Sequence, residues 1–349
     1  MTVREIPPFG ACASQGRLRL CLLGMTIALS SSVGCSPSDL RALSGDRAAY
    51  TGTDTMGVRP TKPVLITLQA RAQLVENSAA TLSHTQPGVF FTINDSGNDP
   101  LLFALDTTGA DRGVWRVMGT TNVDWEAASV GPCSLGNADS SAAPAECVYI
   151  GDVGDNDAKR KTRVLYQVVE PTAQTAGFNG SVEARRLRFR YSDGSHDVEA
   201  MYVAPNGDTY LLTKRRLVDA NRVARPSLVF QLPKRDWGTD TTVVAQLVDS
   251  LPIVPGSAPM RQVTDAALSP DGRHLAVRTY GQIYVFATDS MTGRVRGAIP
   301  PAVCNIVGTE RSPGEGVAWY GRTGKLMLTA EGRNSPLAVV DCPMPRSEP

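Results

Sequence analysis

Acidic residues recur along this chain in one local setting. The segments VENSAATLS, WEAASVGP, VEAMYVAP, TDAALSPD and GEGVAWYG each carry an acid at the head of a strand-like run: Glu76, Glu126, Glu199, Asp265 and Glu315. A small residue follows each acid, namely Asn77, Ala127, Ala200, Ala266 and Gly316. Asp124 and Asp197 stand just ahead of Glu126 and Glu199. Carboxylates gathered in one place have two outlets. A hard cation such as Ca²⁺ takes roughly 6–8 oxygen ligands, and a ring of carboxylates and Asn carbonyls suits it. Alternatively, lysines and arginines neutralise the acids in a network that fixes structure.

The elements that would gather them are strands. Each acid-led run is followed by a second (GVFFTIND, CVYIGDVGD, DTYLLTKR, HLAVRTYG, KLMLTAEG) and a third (LLFALD, RVLYQVV, SLVFQLP, IYVFAT, PLAVVD). A fourth is visible in GVWRVMG, EARRLRFRY and TVVAQLVD. The runs are rich in β-branched and aromatic residues and bounded by turn formers. NGD at 206–208 and PDG at 270–272 read as hairpin turns. Self-similarity about every 60 residues points to a repeat architecture. Four antiparallel strands per unit describe a β-propeller. The expected fold is all-β: a β-propeller of five blades of four antiparallel strands. Six blades follow instead if residues 215–262 hide a degenerate unit. The last unit lacks a fourth strand. PVLITLQARA at 63–72 is placed to supply it and close the ring.

In a propeller the first strand of each blade lines the axis, and its start lies about 5 Å from the end of the second strand. Glu76, Asp124, Glu126, Asp197, Glu199, Asp265 and Glu315 are therefore expected at one mouth of the channel. Asn94, Asp95, Asp152, Asp155, Asn156, Lys214, Arg215, Arg278, Tyr280 and Glu331 join them from the second strands. The small residues after the acids fit the crowding at the axis. Lys214, Arg215 and Arg278 are the mouth cations that would serve a salt-bridge network instead of a metal.

Other chemistries find less support. GDVGDND at 151–157 has the acid density of a calcium loop, but Tyr166 stands where an EF-hand requires Glu, and a plain turn is the alternative. KRK at 159–161 reads as a solvated loop tip. There is no GxSxG elbow and no phosphate loop. The three histidines are His84, His196 and His274. His196, beside Asp197, and Asp124 are the candidates for catalytic proton transfer. His84 and His274 are expected on the opposite face, which argues against a zinc triad.

The chain begins like an exported one. Arg17 and Arg19 precede the apolar run LCLLGMTIALSSSVG, residues 20–34, too short for a permanent span of about 20 residues. SVGC at Cys35 looks like a bacterial lipobox, although Ser32 stands where Leu is usual. Residues 1–35 read as a lipoprotein-type signal peptide, 36–62 as a flexible tether, 63–345 as one propeller domain and 346–349 as a tail. Lipidation at Cys35 would place the protein in the cell envelope, at the outer membrane if the cell has one. Cys133, Cys147, Cys304 and Cys342 suggest two disulfides, Cys133–Cys147 by proximity and Cys304–Cys342 by remainder; four buried thiols are the alternative. Net charge +1 gives no case for nucleic acid as a partner, and a monomer is expected.

NDSGNDPLLFALD, NVDWEAASVGP, YIGDVGDN and DVEAMYV resemble an exported bacterial β-propeller family with NDSG, DWE and GDxGDN signatures. More distantly the pattern is similar to calcium-dependent propellers of the SdiA-regulated, phytase-like or esterase-like, and lactonase types. The resemblance implies metal ligation by Glu76, Asn94, Glu126, Glu199, Asp265 and Glu315, with Asp95, Asp152, Asp155 and Asn156 as secondary candidates. Lys214 and Arg278 depart from a pure metal ring, and no lactonase-type histidine pair is evident. The expected function is a binding or scaffold module whose acidic mouth receives a ligand or protein, with Ca²⁺ as the candidate cofactor. The alternative is a metal-dependent hydrolase of phosphoesters or lactones.

Overall fold

The computed structural model describes residues 63–68, 72–134, 145–215, 223–254, 259–309, 314–321 and 324–346. The expected signal peptide, Cys35 and the tether lie outside the described residues. No helix among the described residues is long and apolar enough to cross a membrane.

The chain is all-β. Strand β1 (Val64–Ile66) is followed by β2 (Asn77–Leu82), β3 (Val89–Asn94), β4 (Leu101–Asp106) and β5 (Asp111–Met118). Next come β6 (Trp125–Pro132), β7 (Glu146–Asp152), β8 (Arg163–Val169), β9 (Asn179–Glu183) and β10 (Arg185–Tyr191). The third group is β11 (Val198–Val203), β12 (Thr209–Thr213), β13 (Ser227–Leu232) and β14 (Val243–Leu251). The fourth is β15 (Val263–Leu268), β16 (His274–Thr279), β17 (Gln282–Ala287) and β18 (Ala302–Asn305). The chain ends with β19 (Gly314–Trp319), β20 (Lys325–Ala330) and β21 (Leu337–Asp341).

These strands pair as antiparallel meanders: β2-β3-β4-β5, β6-β7-β8-β10, β11-β12-β13-β14, β15-β16-β17-β18 and β19-β20-β21. β1 pairs antiparallel with β21, Val64 opposite Val339. Among the described strands two pairings are parallel and were not foreseen. β9 runs parallel to β5, and β10 runs parallel to β14, which fuses the second and third meanders into one eight-stranded sheet. Residues 215–262 contribute β13 and β14 to the third meander.

The first strand of each meander packs against two others: β2 on β6 and β19, β11 on β6 and β15, and β15 on β19. Flanked on both faces, these strands are buried without alternation, as in β11 (VEAMYV). Burial falls off outward, and the outer β10 alternates between buried and exposed. Apolar layers fill the space between successive sheets. Trp125, fully buried, sits with Phe91, Ile93, Val148 and Ile150. Tyr149, Met201, Phe230 and Trp237 share the next layer, and Tyr202, Leu212, Leu275 and Phe286 the one after. Ile283 meets Leu326 and Val340; Ala318 and Met327 meet Phe90 and Phe103.

Both expected disulfides are present. Cys133–Cys147 bridges the far ends of β6 and β7, and Cys304–Cys342 ties β18 to the segment after β21. The crowding that predicted small residues is visible at Gly316. A Cβ there would lie 2.3 Å from Thr329 Oγ1 and 2.8 Å from the Ala80 nitrogen.

Candidate functional site

Every first strand breaks register with its partner near its start. The shifts fall between Asn77 and Ala79, Trp125 and Ala127, Val198 and Ala200, Val263 and Asp265, and Gly314 and Val317. A bulge leaves one residue unpaired and re-aims its side chain. The equivalent bulged residues are thus Ser78, Glu126, Glu199, Thr264 and Glu315. This corrects the sequence alignment in two units, where Glu76 and Asp265 had been matched to the three glutamates. At the bulge level the site carries three acids and two hydroxyls. Ser78 Oγ donates to Glu126 Oε2 at 2.6 Å, and Thr264 Oγ1 donates to the Glu315 carbonyl at 3.0 Å.

The displaced acids do different things. Glu76 is exposed and accepts from Asn98 Nδ2 at 2.7 Å. Asp265 is fully buried. It accepts from the backbone nitrogens of Ala80 (3.2 Å), Val317 (2.8 Å) and Ala266 (2.8 Å), joining three meanders. Burial pushes its pKa up, while these amides and Arg278 oppose the rise. Asn94 caps a loop: Oδ1 accepts from Val75 and Glu76 nitrogens at 3.0 and 3.1 Å, and Nδ2 donates to the Gln73 carbonyl at 2.6 Å.

The four signature stretches converge. Asn122 Nδ2 donates to the carbonyls of Asn94 (3.0 Å) and Asp95 (2.6 Å), tying NVDWE to NDSG. Asp152 Oδ1 accepts from the Asp124 nitrogen at 3.2 Å, and the Asp124 carbonyl accepts from Val153 and Gly154. The backbone at Gly154 runs close to both acids: a Cβ there would lie 2.6 Å from Asp124 Cγ and 2.7 Å from Glu126 Cγ, so a larger residue would displace their side chains. Asp197 Oδ1 accepts from the Asp155 nitrogen at 2.8 Å.

Within this convergence the acids divide by partner. Glu199 pairs with Lys214 Nζ at 3.0 Å, Asp152 with Arg160 at 2.5 Å and Asp155 with Arg163 at 2.5 Å. Asp155 also accepts from the backbone nitrogens of Lys159 and Arg160, so GDVGDND is a turn built around a buried ion pair. Asn156 is exposed on it. Arg278 is fully buried and donates to the Gly316 carbonyl (2.5 Å) and the Thr329 carbonyl (2.8 Å), bracing the fourth meander on the fifth. Asp95, Asp124 and Glu126 form no ion pair among the described residues, and one carboxylate oxygen from each lies within 4.8 Å of the others. Burial, then Asp95, pushes the Asp124 pKa up to about 6, against the pull of Arg160. Burial, then Glu199 and Asp95, holds Glu126 well above the usual carboxylate range.

A second group surrounds Lys214, whose ammonium lies 5.4 Å from the centre of the Tyr280 ring. Against the cost of burial, Glu199, Tyr280 and Glu315 hold its pKa above the ordinary lysine value. Burial lifts Glu315 to about 7, with Lys214 and Arg278 opposing. An open pocket of about 210 Å³ adjoins this group, lined by His196, Asp197, Lys214, Arg215, Arg225 and Gln262 among others. His196 Nε2 lies 2.9 Å from Asp193 Oδ1, and its ring packs between Tyr191 and Phe230.

No family model matches the chain, and no curated protein does. Solved structures do. Glutaminyl cyclase from Myxococcus xanthus is 12% identical over 82% of this chain and 100% of its own, with TM-score 0.42. The PQQ-bound aldose sugar dehydrogenase of Streptomyces coelicolor is 9% identical over 81% and 100%, with TM-score 0.41. The Cps50 (Swd1) β-propeller domain of Myceliophthora thermophila is 10% identical over 80% and 99%, with TM-score 0.38. At such identities and scores the likeness assigns no activity to this chain.

The sequence had placed Asp95 among secondary candidates and Asp124 among catalytic ones; the structure sets both beside Glu126. Ser78 and Thr264 were missed altogether. The signal for them was present as polar residues within two positions of the expected acid, Ser78 after Glu76 and Thr264 before Asp265, but a bulge has no sequence signature of its own here.

Proposed function

We propose that this chain is an exported, lipid-anchored cell-envelope propeller that serves as a binding or scaffold module. Its acidic mouth takes one Ca²⁺ at Asp95, Asp124 and Glu126. The fold reading is five blades closed by β1. The pairing of β1 with β21 and the apolar layer joining the fifth meander to the first support it. The likeness to the exported family with NDSG, DWE and GDxGDN signatures belongs to this reading too, since those stretches meet at the mouth.

The observation that carries the cation is the contrast in pairing. Asp152, Asp155 and Glu199 have arginine or lysine partners, whereas these three converge without an ion pair among the described residues. Three carboxylates supply only part of the shell a Ca²⁺ requires, so the remainder comes from water or an incoming ligand. Thermal unfolding with Ca²⁺ and with chelator tests it. Ca²⁺ should raise the midpoint of the wild type and leave Glu126→Gln unmoved; no shift in the wild type refutes the cation. A second reading, hydrolysis of a phosphoester or lactone, draws on Asp124. In the cation-free site burial and Asp95 raise the Asp124 pKa to about 6, within the range suited to proton transfer. Turnover of such esters, lost in Asp124→Asn with folding intact, would favour it.

A further inference from the structure

One outer strand carries charge that no acid among the described residues pairs with. In β10, RRLRFRY, Leu187, Phe189 and Tyr191 are buried while Arg185, Arg186, Arg188 and Arg190 are exposed. Alternation puts Arg186, Arg188 and Arg190 on one face, about 6.8 Å apart in succession. None of the four side chains makes a hydrogen bond or ion pair among the described residues. Their cross-strand neighbours on that face are Tyr166, Val164 and Val244, none of them acidic. Lys161, exposed and also unpaired, precedes β8 at the Arg190 end of the strand.

Protein surfaces usually intersperse both signs, and like charges on one strand face repel. Elsewhere in this chain cations answer buried acids, as Arg160, Arg163 and Lys214 do. A row of unanswered guanidinium groups has a physical use where the answer comes from outside. Each can bind a phosphate bidentately, and the strand presents them in a line rather than a cleft. We propose that this face of β10 docks on the phosphates of an anionic lipid bilayer. The charge complementarity is direct. The expected anchor at Cys35 would supply proximity, since a stretch as long as residues 36–62 would reach roughly 30 Å if it served as the expected tether. Basic residues near an anionic surface contribute about fivefold each to binding, so three together contribute on the order of 100-fold.

The test uses the full chain carrying Cys35→Ser, so that no lipid anchor contributes, and keeps chelator present throughout. Its result is therefore independent of the calcium reading. Co-sedimentation is measured with phosphatidylglycerol-containing vesicles, pure phosphatidylcholine vesicles and a soluble sulfated polysaccharide. The expected result is binding to the anionic vesicles that fades as salt rises. It should fall about 100-fold in the triple variant Arg186→Gln, Arg188→Gln, Arg190→Gln. An unchanged thermal midpoint shows the variant is folded. No binding to anionic vesicles, or equal binding by the triple variant, overturns the proposal. Preference for the polysaccharide over the vesicles also overturns it and makes a polyanionic glycan the partner.

Discussion

At the scale of single residues, Lys214 and Asp124 show opposite solutions to the same cost. Glu199 is buried and is answered by an ammonium at 3.0 Å. Removing one partner of such a pair leaves an uncompensated charge, so Lys214→Met should destabilise the fold by about 3 kcal/mol in chemical denaturation. Asp124 has no such partner, and its pKa of about 6 is raised above its unfolded value. A carboxyl of that kind binds its proton more tightly folded than unfolded. Between about pH 4 and pH 6 the folded state therefore holds the proton that the unfolded chain has lost, and stability rises as pH falls through that window. Without calcium the thermal midpoint should be higher at pH 5 than at pH 7. With calcium the order should reverse, because the cation binds the ionised carboxylates that protons would occupy.

At the scale of elements, much was legible in the sequence, and the failures have one cause. Alternating and β-branched runs identified the meanders, including EARRLRFRY as an outer strand, because strand propensity and turn chemistry are local. The alignment of Glu76 and Asp265 with Glu126 failed because Glu76 lies two residues before the bulge of its strand and Asp265 one after it, and the position of a bulge cannot be read from the segment alone. Such a shift depends on neighbouring strands, which no single segment reveals. β9 escaped notice because NGSVE is polar and pairs parallel to a distant strand. The disulfides act at this scale as well. Cys304–Cys342 spans 38 residues and links two meanders. Replacing both cysteines by alanine should cost about 4 kcal/mol, read as a lower denaturation midpoint. Gly316→Val should prevent β19 from packing beside β2, and loss of soluble folded protein is the expected readout.

At the scale of the whole molecule, charge is segregated although the net value is only +1. Acids collect where the first strands begin, and a basic row occupies an outer strand. The convergence of four separate stretches on Asp95, Asp124 and Glu126 gives that mouth its coherence. Its chemistry rests on whether a cation completes it. Calorimetric titration of Ca²⁺ into the purified, chelator-treated protein measures this most directly. One ion should bind per chain, with binding abolished in Glu126→Gln and weakened at least tenfold in Asp95→Asn. Absence of binding heat in the wild type, with no metal retained on purification, would contradict the site and leave the three carboxylates without a cation.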